Sequence, residues 1–148
     1  MADATDRLRV YVDADVLLAS CASPSSHSAG QVVLSLSEST LLDAVTSELA
    51  LEECRRSLER KLPGATETFE FLVRCSLDVV PAPSKGTVRR HAGRADWKDV
   101  PHLACALKHG YVCLVTYNTS DYTPGHPDMQ IVRPGELVRR VRERLTGL

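Results

Sequence analysis

Two aspartates, Asp13 and Asp15, directly follow the apolar run Leu8-Arg9-Val10-Tyr11-Val12. Asp99 precedes Val100-Pro101, and Asp121 comes shortly after Leu114-Val115, past Thr116 and Asn118. Carboxylates gathered from such distant stretches repel one another unless a cation neutralises them. Their oxygens, and that of a carboxamide, suit hard ions such as Mg²⁺ or Mn²⁺ better than zinc. An ion held this way can activate water and offset charge on a phosphodiester during cleavage. These residue types imply metal-assisted hydrolysis, provided that the fold brings them to one place.

Glu53 joins them by its position on a helical wheel. On a helix from Ser47 to Leu62 the core stripe reads Leu51, Cys54, Leu58 and Leu62, and Glu52 shares a polar face with Glu48, Arg55, Arg56 and Glu59. Glu53 instead neighbours Leu49, Ala50 and Ser57, a shoulder of small or apolar side chains where a carboxylate needs a reason. Each acid also has an ordinary alternative. Asp99 can cap a helix start, Asp13 or Asp15 can cap the helix after Val12, Asp121 can serve a turn, and Glu53 can be a surface acid.

The elements that must position these groups alternate. Leu8–Val12 reads as a buried strand, followed by a helical stretch broken at Ser23-Pro24-Ser25-Ser26 and resumed from Ser28 to Ser39. Leu41–Val45 reads as a second strand, and Thr46 or Ser47 caps the helix that Pro63-Gly64 stops. A helix over Thr66–Cys75, a strand over Leu77–Val80 and a loop over Pro81–Gly93 follow. Then come a helix over Pro101–His109 stopped by Gly110, a strand over Tyr111–Val115, a short strand over Gln130–Val132 and a helix opened by Pro134. Such alternation predicts one α/β domain over residues 1–148, a mostly parallel sheet covered on both faces. In such sheets ligands sit beyond the C-terminal ends of the strands, where these acids fall.

Composition excludes more than it identifies. At 148 residues, 43% hydrophobic and 25% charged, the chain has the mix of one soluble globular domain. No run approaches the roughly 20 apolar residues of a membrane span, and the polar start reads as no secretory signal, so a cytoplasmic, membrane-free protein is expected. The five cysteines show no zinc spacing and are expected to be buried, reduced thiols. Net charge is −1, but residues 1–74 carry −5 and residues 75–148 carry +4, which allows a basic rim beside an acidic site. Lys85, Arg89, Arg90, Arg94 and Lys98, ahead of Asp99, can hold phosphates there or form a solvated loop. His27, His91, His102, His109 and His126 show no ligating pattern and are expected in loops or on the surface. Trp97 is expected as a partly buried anchor, with base stacking as the alternative. The basic cluster Arg139–Arg144 reads as an exposed helix face.

Taken in order, these segments resemble the PIN-domain family over nearly the whole chain. Val10-Tyr11-Val12-Asp13-Ala14-Asp15-Val16-Leu17-Leu18 is similar to the family's opening strand and Asp-x-Asn-Val-Leu motif, with Asp13 on the metal-binding Asp and Asp15 where Asn or Ser is commoner. Thr46–Leu58 resembles the helix bearing the family's Glu, with Glu53 at that position. Asp96-Trp97-Lys98-Asp99-Val100-Pro101-His102-Leu103-Ala104 resembles the segment of the third acid, and Asp99 fits it better than Asp96. Leu114–Tyr122 resembles the fourth block, where many members have Asp in place of Asn118, so either Asn118 or Asp121 completes the site. Gln130–Leu137 is similar to the closing strand and helix. The resemblance implies a three-layer α/β/α sandwich, Mg²⁺- or Mn²⁺-dependent cleavage of RNA, and frequent homodimers. Many bacterial members are toxins held silent by a small antitoxin protein.

On that reading Asp13 and Asp99 hold the ion, Asp121 or Asn118 assists, Glu53 orients or deprotonates water, and Thr116 hydrogen-bonds an acid or a metal-bound water. Two rivals stand beside it. In a haloacid-dehalogenase-like phosphatase, Asp13 and Asp15 would be nucleophile and general acid. In a PIN-like module without catalysis, the acids would hold no metal and the domain would bind protein or RNA.

Overall fold

The computed structural model describes residues 8–22, 29–38 and 41–147. The break expected around Ser23-Pro24 lies outside the described residues. The chain runs β1 (Leu8–Val12), α1 (Ala14–Ala22), α2 (Ala29–Glu38), β2 (Leu42–Ser47), α3 (Glu48–Lys61), α4 (Thr66–Ser76) and β3 (Asp78–Val80). It continues with α5 (Lys85–Arg89), α6 (Val100–Lys108), β4 (Cys113–Val115), β5 (Gln130–Val132) and α7 (Pro134–Thr146). The five strands form one sheet in the order β3-β2-β1-β4-β5, and every pairing is parallel.

Alternation along the strands explains the layers. Val10 and Val12 of β1, Ala44 of β2 and Cys113 and Val115 of β4 point to one face, where they pack with Val16, Val33, Leu58, Phe69 and Leu137 from α1, α2, α3, α4 and α7. Tyr11, Val45 and Leu114 point to the other face and meet Leu103, Cys105 and Ala106 of α6. A strand buried on both faces has no polar side to show, so β1 reads as a nearly continuous apolar run. The sheet is therefore the middle of a helix–sheet–helix sandwich.

The strand order also fixes where chemistry can happen. From β1 the chain moves outward through β2 to β3, then returns to lay β4 on the opposite side of β1. The order reverses between β1 and β4, and the crevice beyond their C-terminal ends is left open for ligands. Asp13 leaves β1 there, its N–H donating to the Val115 carbonyl of β4 at 3.0 Å.

Several boundaries differ from the sequence reading. The stretch expected as a loop over Pro81–Gly93 contains α5, because Ser84 caps it by accepting from Thr87 N at 3.2 Å. The strand expected from Tyr111 begins only at Cys113, since Tyr111 N–H is taken by Ala106 O at the end of α6. Leu62, expected in the core stripe, is exposed just past the end of α3, while Leu51, Cys54 and Leu58 are buried as expected. All five cysteines are free thiols; Cys54, Cys105 and Cys113 are buried, whereas Cys75 is exposed against expectation. No helix among the described residues is long and apolar enough to cross a membrane.

Candidate metal centre at the β1–β4 crevice

Asp13, directly after the C-terminal end of β1, is only 6% exposed. Its Oδ1 accepts from Ala14 N, the first amide of α1, at 2.7 Å. Its Oδ2 accepts from the buried hydroxyl of Tyr122 at 2.8 Å. Burial, followed by the charges of Asp13 and Asp99, pushes the Tyr122 phenol far above its ordinary pKa, so it remains a donor.

Asp99 reaches the same place from the start of α6. It occupies the N-cap position, yet its side chain makes no capping hydrogen bond, so the helix-cap alternative does not account for it. Asp99 Oδ2 is buried and makes no hydrogen bond; Lys98 Nζ approaches it at 3.5 Å, an ion-pair distance only. Burial first, and the Asp13 charge second, lift the Asp99 carboxyl to a pKa of about 6. Lys98 Nζ also lies 3.2 Å from Asp121 Oδ2, so one ammonium spans Asp99 and Asp121. Asp121 is tied to this segment through its backbone too, accepting from Asp96 N at 2.7 Å. The Asp96 side chain is exposed.

Asp15 does a different job. Its Oδ2 accepts from Tyr117 N at 2.9 Å, Thr116 Oγ1 at 3.1 Å and Asn118 Nδ2 at 3.2 Å. These bonds clamp the first turn of α1 to the exit of β4. Burial and the nearby Asp13 raise the Asp15 carboxyl's pKa, and the donors from Tyr117 and Thr116 offset part of that. Thr116 is fully buried, and Asn118 N donates back to its hydroxyl at 3.1 Å. All three bonds use Oδ2; Asp15 Oδ1 is buried and makes no hydrogen bond.

Glu53 comes from the second turn of α3, placed by Ser47, whose hydroxyl caps the helix by accepting from Ala50 N at 3.1 Å. Its side chain, 35% exposed, meets His102 Nε2 with both oxygens at 3.2 Å. A shallow groove lined by Arg56, Ser57, Glu59 and Arg60 opens beside it.

His102 corrects the sequence reading, which placed the histidines in loops or on the surface. It is 1% exposed on α6 and touches Glu53, Tyr11 and, at 3.9 Å from Nε2 to Oδ1, Asp13. Burial alone would lower its pKa, but the Glu53 hydrogen bond and the Asp13 charge outweigh that and raise it. One signal lay in the sequence: His102 follows Asp99 by three residues, which puts it in the first turn of the helix that Asp99 opens. Tyr122 and the hydroxyl of Tyr11 carried no such signal. Trp97 is likewise a correction, being 85% exposed rather than an anchor. Of the basic residues ahead of Asp99, Lys98 lies on the acids and Arg94 donates to Gly125 O at 3.2 Å. Lys85, Arg89 and Arg90 are exposed and make no ion pair among the described residues.

Among the described residues no three His, Cys, Asp or Glu side chains are gathered to hold a metal ion as they stand. The arrangement is sparser. Asp13 and Asp99 line the crevice, and a cationic ammonium occupies the side toward Asp121. That suits a hard ion that keeps most of its water and takes only one or two carboxylates. The buried, unbonded Asp99 Oδ2 is the group such an ion would satisfy.

The fold is similar to that of PAE2754 from Pyrobaculum aerophilum, at 17% identity over 91% of this chain and 90% of that one, with a TM-score of 0.64. It is also similar to a chain in the structure of FitAB bound to an IR36 DNA fragment, at 17% identity over 84% of this chain and 94% of that one, with a TM-score of 0.58. No curated protein matches significantly. The pattern of the PIN domain matches residues 9–120, from the strand that delivers Asp13 through α3 and α6 to the turn after β4. The sandwich, the acids at the strand-order reversal and that match converge, and the chain belongs to the PIN-domain family.

Proposed function

We propose that this protein is a metal-dependent endoribonuclease whose ion, Mg²⁺ or Mn²⁺, is held by Asp13 and Asp99 with Asp121 assisting. Membership of a family made up mostly of metal-dependent nucleases supports hydrolysis of a phosphodiester. The single observation that carries the assignment is Asp99 Oδ2, a buried carboxylate oxygen that no donor satisfies, beside Asp13 at the reversal of strand order.

When bound, the ion would lower the pKa of a water and offset charge on the phosphodiester. The protein's own residues do the rest. Tyr122 and Ala14 N hold Asp13 in one orientation. Asp15, through Thr116, Tyr117 and Asn118, keeps the exit of β4 packed against α1. Glu53 orients or deprotonates the attacking water. Asp121 rather than Asn118 serves as the assisting group, because it brings a negative charge that the Asn118 amide lacks; Lys98 pairs with Asp121 and Asp99 until an ion displaces it. Lys85, Arg89 and Arg90 supply free cations for phosphates flanking the cut.

The same proposal includes a homodimer and a small antitoxin partner, as the family resemblance implies. The likeness to a chain of FitAB, solved on DNA, supports a partner of that kind.

The deciding experiment compares the purified protein with its Asp13→Asn variant on single-stranded RNA, with EDTA and with added Mn²⁺. Wild type should cut only with the ion, and the variant should keep its fold and lose the activity. Equal cleavage by the variant would remove Asp13 from the mechanism. No cleavage by wild type, with no heat on Mn²⁺ titration, would leave a binding module in place of an enzyme.

A further inference from the structure

Behind Glu53 runs a buried series of hydrogen bonds. Ser47 Oγ, already accepting from Ala50 N, lies 2.7 Å from the Tyr11 hydroxyl. That hydroxyl lies 2.8 Å from His102 Nδ1, and His102 Nε2 meets both oxygens of Glu53 at 3.2 Å. Ser47 and Tyr11 are wholly buried, and His102 is 1% exposed. An imidazole among Leu103, Ala104, Cys105 and Ala106 is costly unless both ring nitrogens are satisfied, and here both are.

The donors can be assigned in sequence. A carboxylate only accepts, so His102 Nε2 carries a proton in either charge state of the ring. With the ring neutral, Nδ1 is bare and accepts from Tyr11. Tyr11 has then spent its one proton, so its oxygen accepts from Ser47, whose oxygen keeps a lone pair for Ala50 N. Every proton finds one acceptor. The chain of bonds leaves the first turn of α3, crosses β1 and α6, and returns to the second turn of α3.

We infer that His102 is the positioning residue for Glu53, with Tyr11 and Ser47 fixing the orientation of its ring. The inference rests on the reading of Glu53 as the group that handles the attacking water. A glutamate one-third exposed would otherwise sample several rotamers in solvent. The shared contact of Nε2 with both carboxylate oxygens holds it toward Asp13, whose Oδ1 lies 3.9 Å from the same nitrogen. Glu52, on the adjacent exposed face, has no such hold among the described residues.

The test uses the full chain with Mn²⁺ and a labelled single-stranded RNA. His102→Leu should lower kcat about 10- to 100-fold, the range for removing a supporting partner, with KM little changed. His102→Gln, whose amide can still donate to Glu53, should recover most of that loss, and Tyr11→Phe should fall between. Adding His102→Leu to Glu53→Gln should cost nothing further, because the two act as one unit. A readout independent of cleavage is nitrogen NMR of the metal-free protein. The His102 Nε2 proton should be present, protected from exchange, and shifted in Glu53→Gln. Wild-type kcat in His102→Leu, a purely KM loss, additive losses in the double variant, or an unprotected Nε2 proton would each overturn the inference. If wild type cuts no RNA yet the protected proton is seen, the nuclease reading fails while the positioning contact stands.

Discussion

Asp99 keeps one oxygen buried and unbonded, and burial, followed by the charge of Asp13, lifts its carboxyl to a pKa of about 6. The folded protein without metal therefore holds a proton at Asp99 that the unfolded chain, with an ordinary carboxyl near pH 4, gives up. The native state binds more protons through that window, so stability is greatest below about pH 4 on this account and falls as pH rises toward 6. Asp99→Asn should remove that slope and raise metal-free stability at neutral pH. Two pKa units correspond to at most about 2.7 kcal/mol, and solvent at the crevice discounts this to about 1 kcal/mol. Urea unfolding of both proteins at pH 5 and pH 8, in EDTA, checks it. A less stable variant at pH 8 would contradict the account.

Tyr122→Phe should be destabilising without a change of fold. It deletes a 2.8 Å hydrogen bond to a carboxylate that is nearly buried, and the cost of such a loss is about 1–3 kcal/mol. Because Asp13 Oδ2 then loses its protein donor, RNA cleavage should also fall. Thermal unfolding and initial rates at saturating Mn²⁺ measure the two effects separately. Unchanged values for both would mean that the bond does not hold Asp13.

Lys98→Ala separates the ammonium's two roles. Its Nζ pairs with Asp99 and Asp121 and competes with any ion drawn to them. Calorimetry should show Mn²⁺ binding a few-fold tighter in the variant, whereas RNA affinity in EDTA should weaken and its salt dependence flatten by about one phosphate contact. Weaker Mn²⁺ binding would show that Lys98 supports the acids instead of competing for them.

Trp97, the only tryptophan, is 85% exposed next to Lys98 and two residues before Asp99. An indole so placed offers a face to an unpaired base, a contact of about 1–3 kcal/mol. Single-stranded RNA added to the metal-free protein should quench its fluorescence, and Trp97→Ala should raise the RNA dissociation constant about tenfold at fixed salt, or more. RNA that binds with no change in fluorescence would exclude stacking.

The acids were legible because each follows a strand or opens a helix, and those positions are written in local pattern. Glu53 was separable from Glu52 because a helix turns its faces with a fixed period. Trp97 and Leu62 were misplaced for a related reason: apolar character alone suggests burial, but Leu62 falls just past the end of α3 and Trp97 in the turn before α6, and both are exposed. The short helix α5 was hidden because its apolar content is too slight to show a period, and only the Ser84 cap marked it.

By itself, the sequence determined the alternation of strands and helices, the sandwich that follows from burying strands on both faces, and the acids at the strand ends. Only the tertiary structure decided that β4 returns beside β1, that His102 stands between Glu53 and Asp13, and that Tyr11 and Tyr122 turn their hydroxyls inward to meet them. The physical reason is distance along the chain. Periodicity and capping are local and can be read residue by residue. A hydrogen bond between Tyr122 and Asp13 exists only once the parallel register has carried two remote strand exits to the same edge of the sheet.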